Sequence, residues 1–315
     1  MSTEEKVISG VPQGSILGPL LFLCFVNELP DIFENVCKFL AYADDTQLIV
    51  TSENVESLLP KIENIIKMAS DWYNKNGLKN NSGKSEVLVL SHKNKGPFKI
   101  NVIENGEHKI IKTKENIEIL GMKIVQELSW TKHINFVKKR SFNVIRQVHR
   151  INKLLPQHLR MTLYQTLISP IFNYVDIIYG GCTQKNKQKL QVTQNFAVRS
   201  ILGRKKYESA KSCFKELNLL NLEQRRVVHE AVFVHKSLSD KTTTSIKNKY
   251  LKFKPKLNTR RAQNHKLNIP QHNASKFRKS PIFRTIQSWN KSTDCLGFGQ
   301  IKKHKNAFQS KFLPR

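Results

Sequence analysis

Between residues 37 and 50 the chain reads CKFLAYADDTQLIV, and no other stretch limits so tightly what it can fold into. Residues 37–42 and 46–50 are rich in apolar, β-branched and aromatic side chains, the composition of strands that line a half-buried sheet. Ala43-Asp44-Asp45 falls at the connection, and Asp tolerates the backbone of a tight turn. The spacing predicts a hairpin with two carboxylates at its tip. Side chains alternate faces along a strand, so the two acids do different work: one points into a shared site and the other sits at its edge. Adjacent carboxylates repel unless a cation lies between them. Hard oxygen donors of this kind suit Mg²⁺, which keeps waters and substrate phosphates in its shell, as in two-metal phosphoryl transfer. Taken alone, the pair also reads as a solvated Asp-Asp turn.

The stretch before it, SGVPQGSILGPLLFLCFVNELP at residues 9–30, opens as a polar loop punctuated by Gly10, Pro12 and Gly14. The apolar run at residues 16–26 predicts a buried helix, for which Ser15 is a candidate cap. SGVPQGSILGPLLF followed a few tens of residues later by YADD resembles the reverse transcriptases of non-long-terminal-repeat (LINE, jockey-like) retrotransposons, which carry both motifs in that order. The resemblance implies an RNA-directed DNA polymerase with a two-ion Mg²⁺ site. Its partners would be an RNA template, a DNA primer and a deoxynucleoside triphosphate. It implies that Asp44 and Asp45 are catalytic metal ligands and that Pro12, Gln13 and Gly14 lie against the templating pair and the incoming nucleotide.

Residues 57–76 carry Leu58, Ile62, Ile65, Ile66, Ala69, Trp72 and Tyr73 at helical spacing, with Ser57 a candidate cap and Pro60 in the first turn. GLKNNSGKSEVLVL at residues 77–90 predicts a turn and a strand over 85–90, and is similar to the family segment GLxLNxxKTExxxF. That likeness gives Lys84 a role beside the leaving pyrophosphate; in a chain this basic, Lys84 also reads as an ordinary surface residue. Asn105-Gly106 marks a hairpin between residues 98–103 and 108–111. Residues 117–124 read as one strand, whose Leu120-Gly121 matches the family segment that holds the primer end.

From Ser129 the period becomes helical. Ser129 is a candidate cap for a helix carrying Ile134, Val137, Ser141, Val144, Ile145 and Val148, interleaved with Lys138, Lys139, Arg140 and Arg146. A second helix is predicted over 157–168, a third from a Thr183 cap to before Gly203, and a fourth opening on an Asn221/Gln224 capping pair. The run IFNYVDIIYGG resembles the family pattern LYxxLIxPxxxYxxxxYG. Residues 241–279 read as a mostly irregular basic arm, and Ser280-Pro281 starts a last helix with Ile282, Phe283, Ile286 and Trp289 near one face. Its Ile286, Trp289 and Asn290 resemble a closing segment of the family.

The expected fold class is α+β: a partial reverse-transcriptase palm of antiparallel β and packed helices over 1–126, a helical thumb-like region over 127–240, and a basic linker with short helices over 241–315. The formal charge of +29 asks for a polyanionic partner, nucleic acid or an anionic membrane surface. Residues 1–60 hold two Lys against nine Asp or Glu, whereas residues 241–315 hold nineteen Lys or Arg against one Asp. The acidic end carries the carboxylate pair and the basic end does not. The strongest apolar run is too short to span a bilayer, which weakens the membrane reading. Five cysteines without a CxxC pair, and no visible signal peptide, predict a reduced intracellular protein of the nucleus or cytoplasm. Family members carry an earlier segment with a further catalytic aspartate, and fingers for the triphosphate. Only eight residues precede Ser9, so the chain is expected to be inactive alone, the alternative being a non-catalytic RNA- or DNA-binding remnant.

Overall fold

The computed structural model describes residues 10–11, 14–78, 82–91, 96–104, 107–239, 244–253, 266–271 and 275–295. The chain forms two compact units, Met1–Ile117 and Glu118–Arg315, built from helices and small antiparallel sheets.

In the first unit, helices α1 (Gly18–Phe25) and α2 (Leu29–Ile32) precede a hairpin of β1 (Lys38–Tyr42) and β2 (Asp45–Ile49). Helix α3 (Val55–Lys75) follows, then a 3₁₀ turn at Ser82–Lys84 and a second hairpin, β3 (Lys99–Glu104) with β4 (Glu107–Lys112). Helix α3 organises the unit because its apolar residues recur at helical spacing and its two halves bury different partners. Ile62 packs with Ile100 and Val102 of β3 and with Val87. One turn on, Ile65, Ala69 and Trp72 pack with Leu29, Phe33, Phe39 and Leu48, and the Phe33 and Phe39 rings stack at 5.6 Å. Both hairpins are thereby fixed to one rod.

Several expectations change here. The α1 run was expected to be buried, yet only Gly18 is: Leu17, Leu20, Leu21 and Leu23 are exposed, Ile16 at 96%. Its apolar residues surround the helix, whereas the contact with α3 runs through one side, where Phe25 meets Trp72 edge-on at 6.3 Å. Ser15 does serve this helix, its Oγ accepting the Gly18 N–H at 3.1 Å. Helix α3 starts earlier than expected, since Asn54 rather than Ser57 is the cap and accepts the Ser57 N–H at 2.8 Å. Pro60 therefore lies inside the helix, where it leaves one carbonyl of the first turn without its usual donor. Residues 85–90 form no strand. They are held by a single backbone bond, Lys114 N–H to the Val87 carbonyl at 2.8 Å, and by a Lys114–Glu86 ion pair, too little for a ladder.

The expected strand at 117–124 is instead a hairpin, β5 (Asn116–Ile119) and β6 (Met122–Val125). Leu120 and Gly121 turn it at φ +47° and +76°, the pattern of a type I′ turn. The other expected hairpin forms with Glu104 opposite Glu107, which puts the two-residue loop at Asn105-Gly106, outside the described residues.

The second unit is helical beyond β6. It comprises α4 (Thr131–Ile151), α5 (Gln157–Leu163), a π turn at Tyr164–Ile168, α6 (Ser169–Asn173), α7 (Asp176–Tyr179) and α8 (Gln184–Leu202). After these come α9 (Ala210–Glu216), α10 (Leu222–Ser239), α11 (Thr244–Tyr250), α12 (Ser275–Arg278) and α13 (Pro281–Cys295). Ile134, Val137, Ile145 and Val148 of α4 form a core with Tyr164, Ile168, Phe172, Leu190, Val198 and Ile201. The helix starts at Thr131 with no side-chain cap, not at Ser129. The predicted helix over 157–168 is α5 continued by the π turn.

Thr183 caps α8, and Gly203 ends it at φ +68°. The Asn221/Gln224 pair forms a reciprocal box, Gln224 N–H to Asn221 Oδ1 at 2.9 Å and Asn221 N–H to Gln224 Oε1 at 3.1 Å. Helix α13 lies against α10, burying Ile286 and Trp289 completely with Val228, Ala231 and Val234. The stretch read as irregular contains α11, while much of the rest lies outside the described residues.

Candidate active site

Antiparallel pairing of Tyr42 with Asp45 leaves Ala43 and Asp44 as the turn of the first hairpin. Asp45 thus begins β2 rather than sitting in the loop, a shift of one residue from the expectation. The register assigns the faces. Phe39 opposite Leu48 looks toward α3, so the alternate pairs Leu40 with Gln47 and Tyr42 with Asp45 occupy the other face. Asp45 therefore stands beside Tyr42 on the outward face while Asp44 crowns the turn, and both acids are exposed. Ala43 makes the turn at φ +52°, a left-handed conformation that costs an L-residue about 1 kcal/mol or more. That strained residue immediately precedes the two carboxylates.

The remaining sequence-predicted residues fall in separate places. Gly14 is exposed at φ +85°, with open space where a side chain would begin. Pro12 and Gln13 lie outside the described residues. Lys84 ends the 3₁₀ turn, exposed, and forms no hydrogen bond or ion pair with Asp44 or Asp45. What ties its segment to the hairpin is α3, which packs Val87 on one half and Phe39 and Leu48 on the other. Leu120 and Gly121 belong to the second unit. There the Tyr174 hydroxyl donates to the Leu120 carbonyl, and a Cβ on Gly121 would lie 3.6 Å from the same ring.

Tyr174 was not singled out by sequence, although it sits in the IFNYVDIIYGG run that drew attention. The residue after it, Val175, has φ +48°, a rare conformation for a β-branched side chain. Asp176 follows, buried, with its Oδ2 2.8 Å from His229 Nδ1. A second buried polar cluster joins α10 to α13. Glu230 accepts from Arg284 Nε at 3.2 Å and from the Ser288 hydroxyl, and Arg284 also donates to the Ile177 carbonyl. Burial pulls the Arg284 guanidinium down from its usual value, and Glu230 pushes it back up. Gly180 and Gly181 make room for this: a Cβ would fall 2.3 Å from Arg226 Cδ at the first and 2.0 Å from the Lys279 carbonyl at the second.

The carboxylates of Asp44 and Asp45 suit a Mg²⁺ ion that completes its shell with water and phosphate oxygens. Among the described residues, no group of three or more His, Cys, Asp or Glu side chains gathers to hold a metal. Two carboxylates by themselves fall short of an all-protein cage for two metal ions. Cys24, Cys37, Cys182 and Cys213 are free thiols, and burial pushes Cys37 and Cys182 up from the usual thiol range. Among the described residues no helix is long and apolar enough to cross a membrane.

Helix α4 turns its core residues inward, which leaves Lys138, Lys139, Arg140, Arg146 and Arg150 exposed. None of these five pairs with a carboxylate among the described residues. The Arg146 guanidinium lies 6.0 Å from the centre of the half-exposed Phe142 ring.

Residues 2–124 match the family of reverse transcriptases (RNA-dependent DNA polymerases). The chain is 25% identical over 209 residues to the probable RNA-directed DNA polymerase from transposon X-element of Drosophila melanogaster, covering 64% of this chain and 23% of the relative. For the corresponding protein of transposon BS from the same organism, identity is 26% over 233 residues, 71% of this chain and 26% of the relative. Against the RNA-directed DNA polymerase from mobile element jockey, also of Drosophila melanogaster, it is 22% over 233 residues, 70% and 25%. The chain spans about a quarter of the length of these curated relatives. No solved structure matches it. Residues 2–124 thus belong to the reverse-transcriptase family, and the likeness that continues past them is to the polymerases of jockey-type, non-LTR retrotransposons.

Proposed function

We propose that the chain is a section of an RNA-directed DNA polymerase in which Asp44 and Asp45 hold Mg²⁺ beside the growing DNA end. The observation that carries this reading is the hairpin tip: a strained Ala43, one carboxylate on the turn and a second on the outward face next to Tyr42. A bound magnesium ion would neutralise phosphate charge and lower the barrier to oxygen attack on phosphorus. The chain's own residues present and orient the carboxylates, because Phe39 and Leu48 clamp the hairpin to α3. Lys84 would meet charge developing on the leaving pyrophosphate, and the loop from Pro12 to Gly14 would lie along the nucleotide. The first unit would be palm and α4 part of a thumb, its unpaired cations following the phosphates of an RNA–DNA duplex without reading sequence.

With two carboxylates and no third ligand gathered among the described residues, this chain by itself would synthesise little or no DNA. Primer extension on an RNA template with Mg²⁺ tests this. No extension by the chain alone is the expected result, and robust synthesis abolished by Asp44→Asn would overturn the inactivity while supporting the metal site.

A second reading has its own support. The formal charge of +29, with the unpaired cations of α4, suits a non-catalytic protein that binds RNA or an RNA–DNA duplex. Duplex binding unchanged by Asp44→Asn and by chelation of Mg²⁺, in a chain without polymerase activity, would favour it.

A further inference from the structure

Within the second unit a cavity of about 350 Å³ opens between α8, α9 and the start of α10. One wall is α8, where Gln184, Gln188 and Gln191 recur at four- and three-residue spacing and share a face. Another is α9, with Lys211 and Lys215 one turn apart and Phe214 between them in sequence.

Part of this lining is fixed by its own hydrogen bonds. Gln191 donates to Gln194 and Asn195, each at 2.9 Å, and accepts the Leu222 N–H at 3.1 Å. Gln194, fully buried, donates in turn to the Tyr164 hydroxyl at 3.0 Å. The reciprocal Asn221–Gln224 box closes the start of α10 beside them. The carboxylate in the lining, Glu223, is paired with Lys187 at 3.3 Å. Gln184, Gln188, Lys211 and Lys215 differ from these: all four are exposed, and none makes a side-chain hydrogen bond or ion pair among the described residues. The cavity therefore has a rigid frame and four spare polar groups, two amides on one helix and two ammoniums on the other.

Their chemistry is complementary to a nucleotide. A primary amide offers a donor and an acceptor side by side, as base edges do. An aromatic face takes a stacked base regardless of its identity, and ammonium groups take a phosphate. The volume lies at the low end for ligand sites and suits one nucleotide rather than a duplex.

We propose that this cavity receives one unpaired base of single-stranded RNA, with the base between Gln188 and Phe214 and its phosphate on Lys211 and Lys215. The inference rests on the nucleic-acid reading above and adds to it a site for unpaired template, separate from the duplex-binding face of α4.

The test uses the full chain and two probes, a short single-stranded RNA carrying 2-aminopurine and a blunt RNA–DNA duplex. Binding should quench the 2-aminopurine fluorescence. Gln188→Leu and Phe214→Leu should each weaken the single strand about tenfold and remove the quench, as expected when one stacked base is lost. Phe214→Leu retains an apolar side chain against the core, and Gln188→Leu changes an exposed residue, so neither relies on a variant that threatens the fold. Unchanged duplex affinity in both variants completes the supporting result. Single-strand binding and quench that survive both substitutions would overturn the pocket and leave the duplex reading standing, as would duplex binding without any single-strand binding. A wild-type chain that binds neither probe would remove both.

Discussion

The phenolic hydroxyl of Tyr174 donates its hydrogen to the carbonyl oxygen of Leu120, 54 residues earlier in the chain. It thereby holds a type I′ turn made of a leucine and a glycine, where Asn-Gly would be the usual pair. Tyr174→Phe should lower the stability of the second unit by about 1 kcal/mol, the net worth of one such bond. Gly121→Ala should cost a comparable amount or more, because Gly121 stands at φ +76°. Urea midpoints of the three proteins measure both effects. A Tyr174→Phe midpoint equal to that of the wild type would mean the turn holds itself.

His133 is 1% exposed, accepts the Lys123 N–H on Nδ1 at 3.3 Å, and lies 5.2 Å from the Tyr179 ring; its Nε2 is buried with no hydrogen-bond partner among the described residues. Burial first, and then the charge of Lys123, pull its pKa down, with Glu118 acting the opposite way. The unfolded chain, with a value near about 6.5, then binds the proton more readily than the folded one. Stability from this site is present above about pH 6.5 and is lost as the pH falls below it toward the folded value. Unfolding midpoints measured across that range should drop on acidification, and His133→Phe should flatten the change. An unaltered slope in the variant would assign the effect to other groups.

The Arg284–Glu230 pair is almost wholly buried, with side-chain exposures of 15% and 5%. Arg284→Ala should destabilise the second unit by about 3–5 kcal/mol, because it strands a buried carboxylate. Arg284→Met combined with Glu230→Leu should recover much of that loss. A double-mutant cycle by chemical denaturation reads the coupling, and strictly additive single effects would refute it.

Affinity for an RNA–DNA duplex should fall steeply with added salt, since each neutralised phosphate releases counterions. Replacing Lys138, Lys139, Arg140 or Arg146 by Ala should reduce the slope of log affinity against log salt by about one for each true phosphate contact. Slopes identical to the wild type in all four variants would remove α4 from the interface.

What could be read from the sequence depended on how local the cause was. The Asn221/Gln224 box, the Thr183 cap with its Gly203 stop, and the inward residues of α4 all arise within a few turns of chain, and they stand where spacing put them. The Asp44–Asp45 hairpin was legible for the same reason, missing only that Asp45 already pairs with Tyr42. Where a distant partner decides, spacing was silent. Residues 85–90 have strand composition, but among the described residues their one backbone hydrogen bond comes from the Lys114 N–H. The 120–121 turn hid inside an apparent strand because a leucine at positive φ is not a turn signal. Apolar content called α1 buried, yet composition does not say what covers a helix. The hydrogen bond of Asp176 with His229 and the ion pair of Glu230 with Arg284 join residues 53 and 54 positions apart, and no short pattern announces them.

Gly180 leaves room for the Arg226 side chain of α10, and Gly181 for the turn at Lys279 that leads into α13. That segment also brings Trp289 and Ile286 to α10 and Arg284 to Glu230. During translation, then, the second unit cannot finish folding until residue 295 or so has cleared the ribosomal tunnel. Until that moment the nascent α10 shows an oily stripe and an unmatched carboxylate, which is the surface a chaperone would be called on to shield.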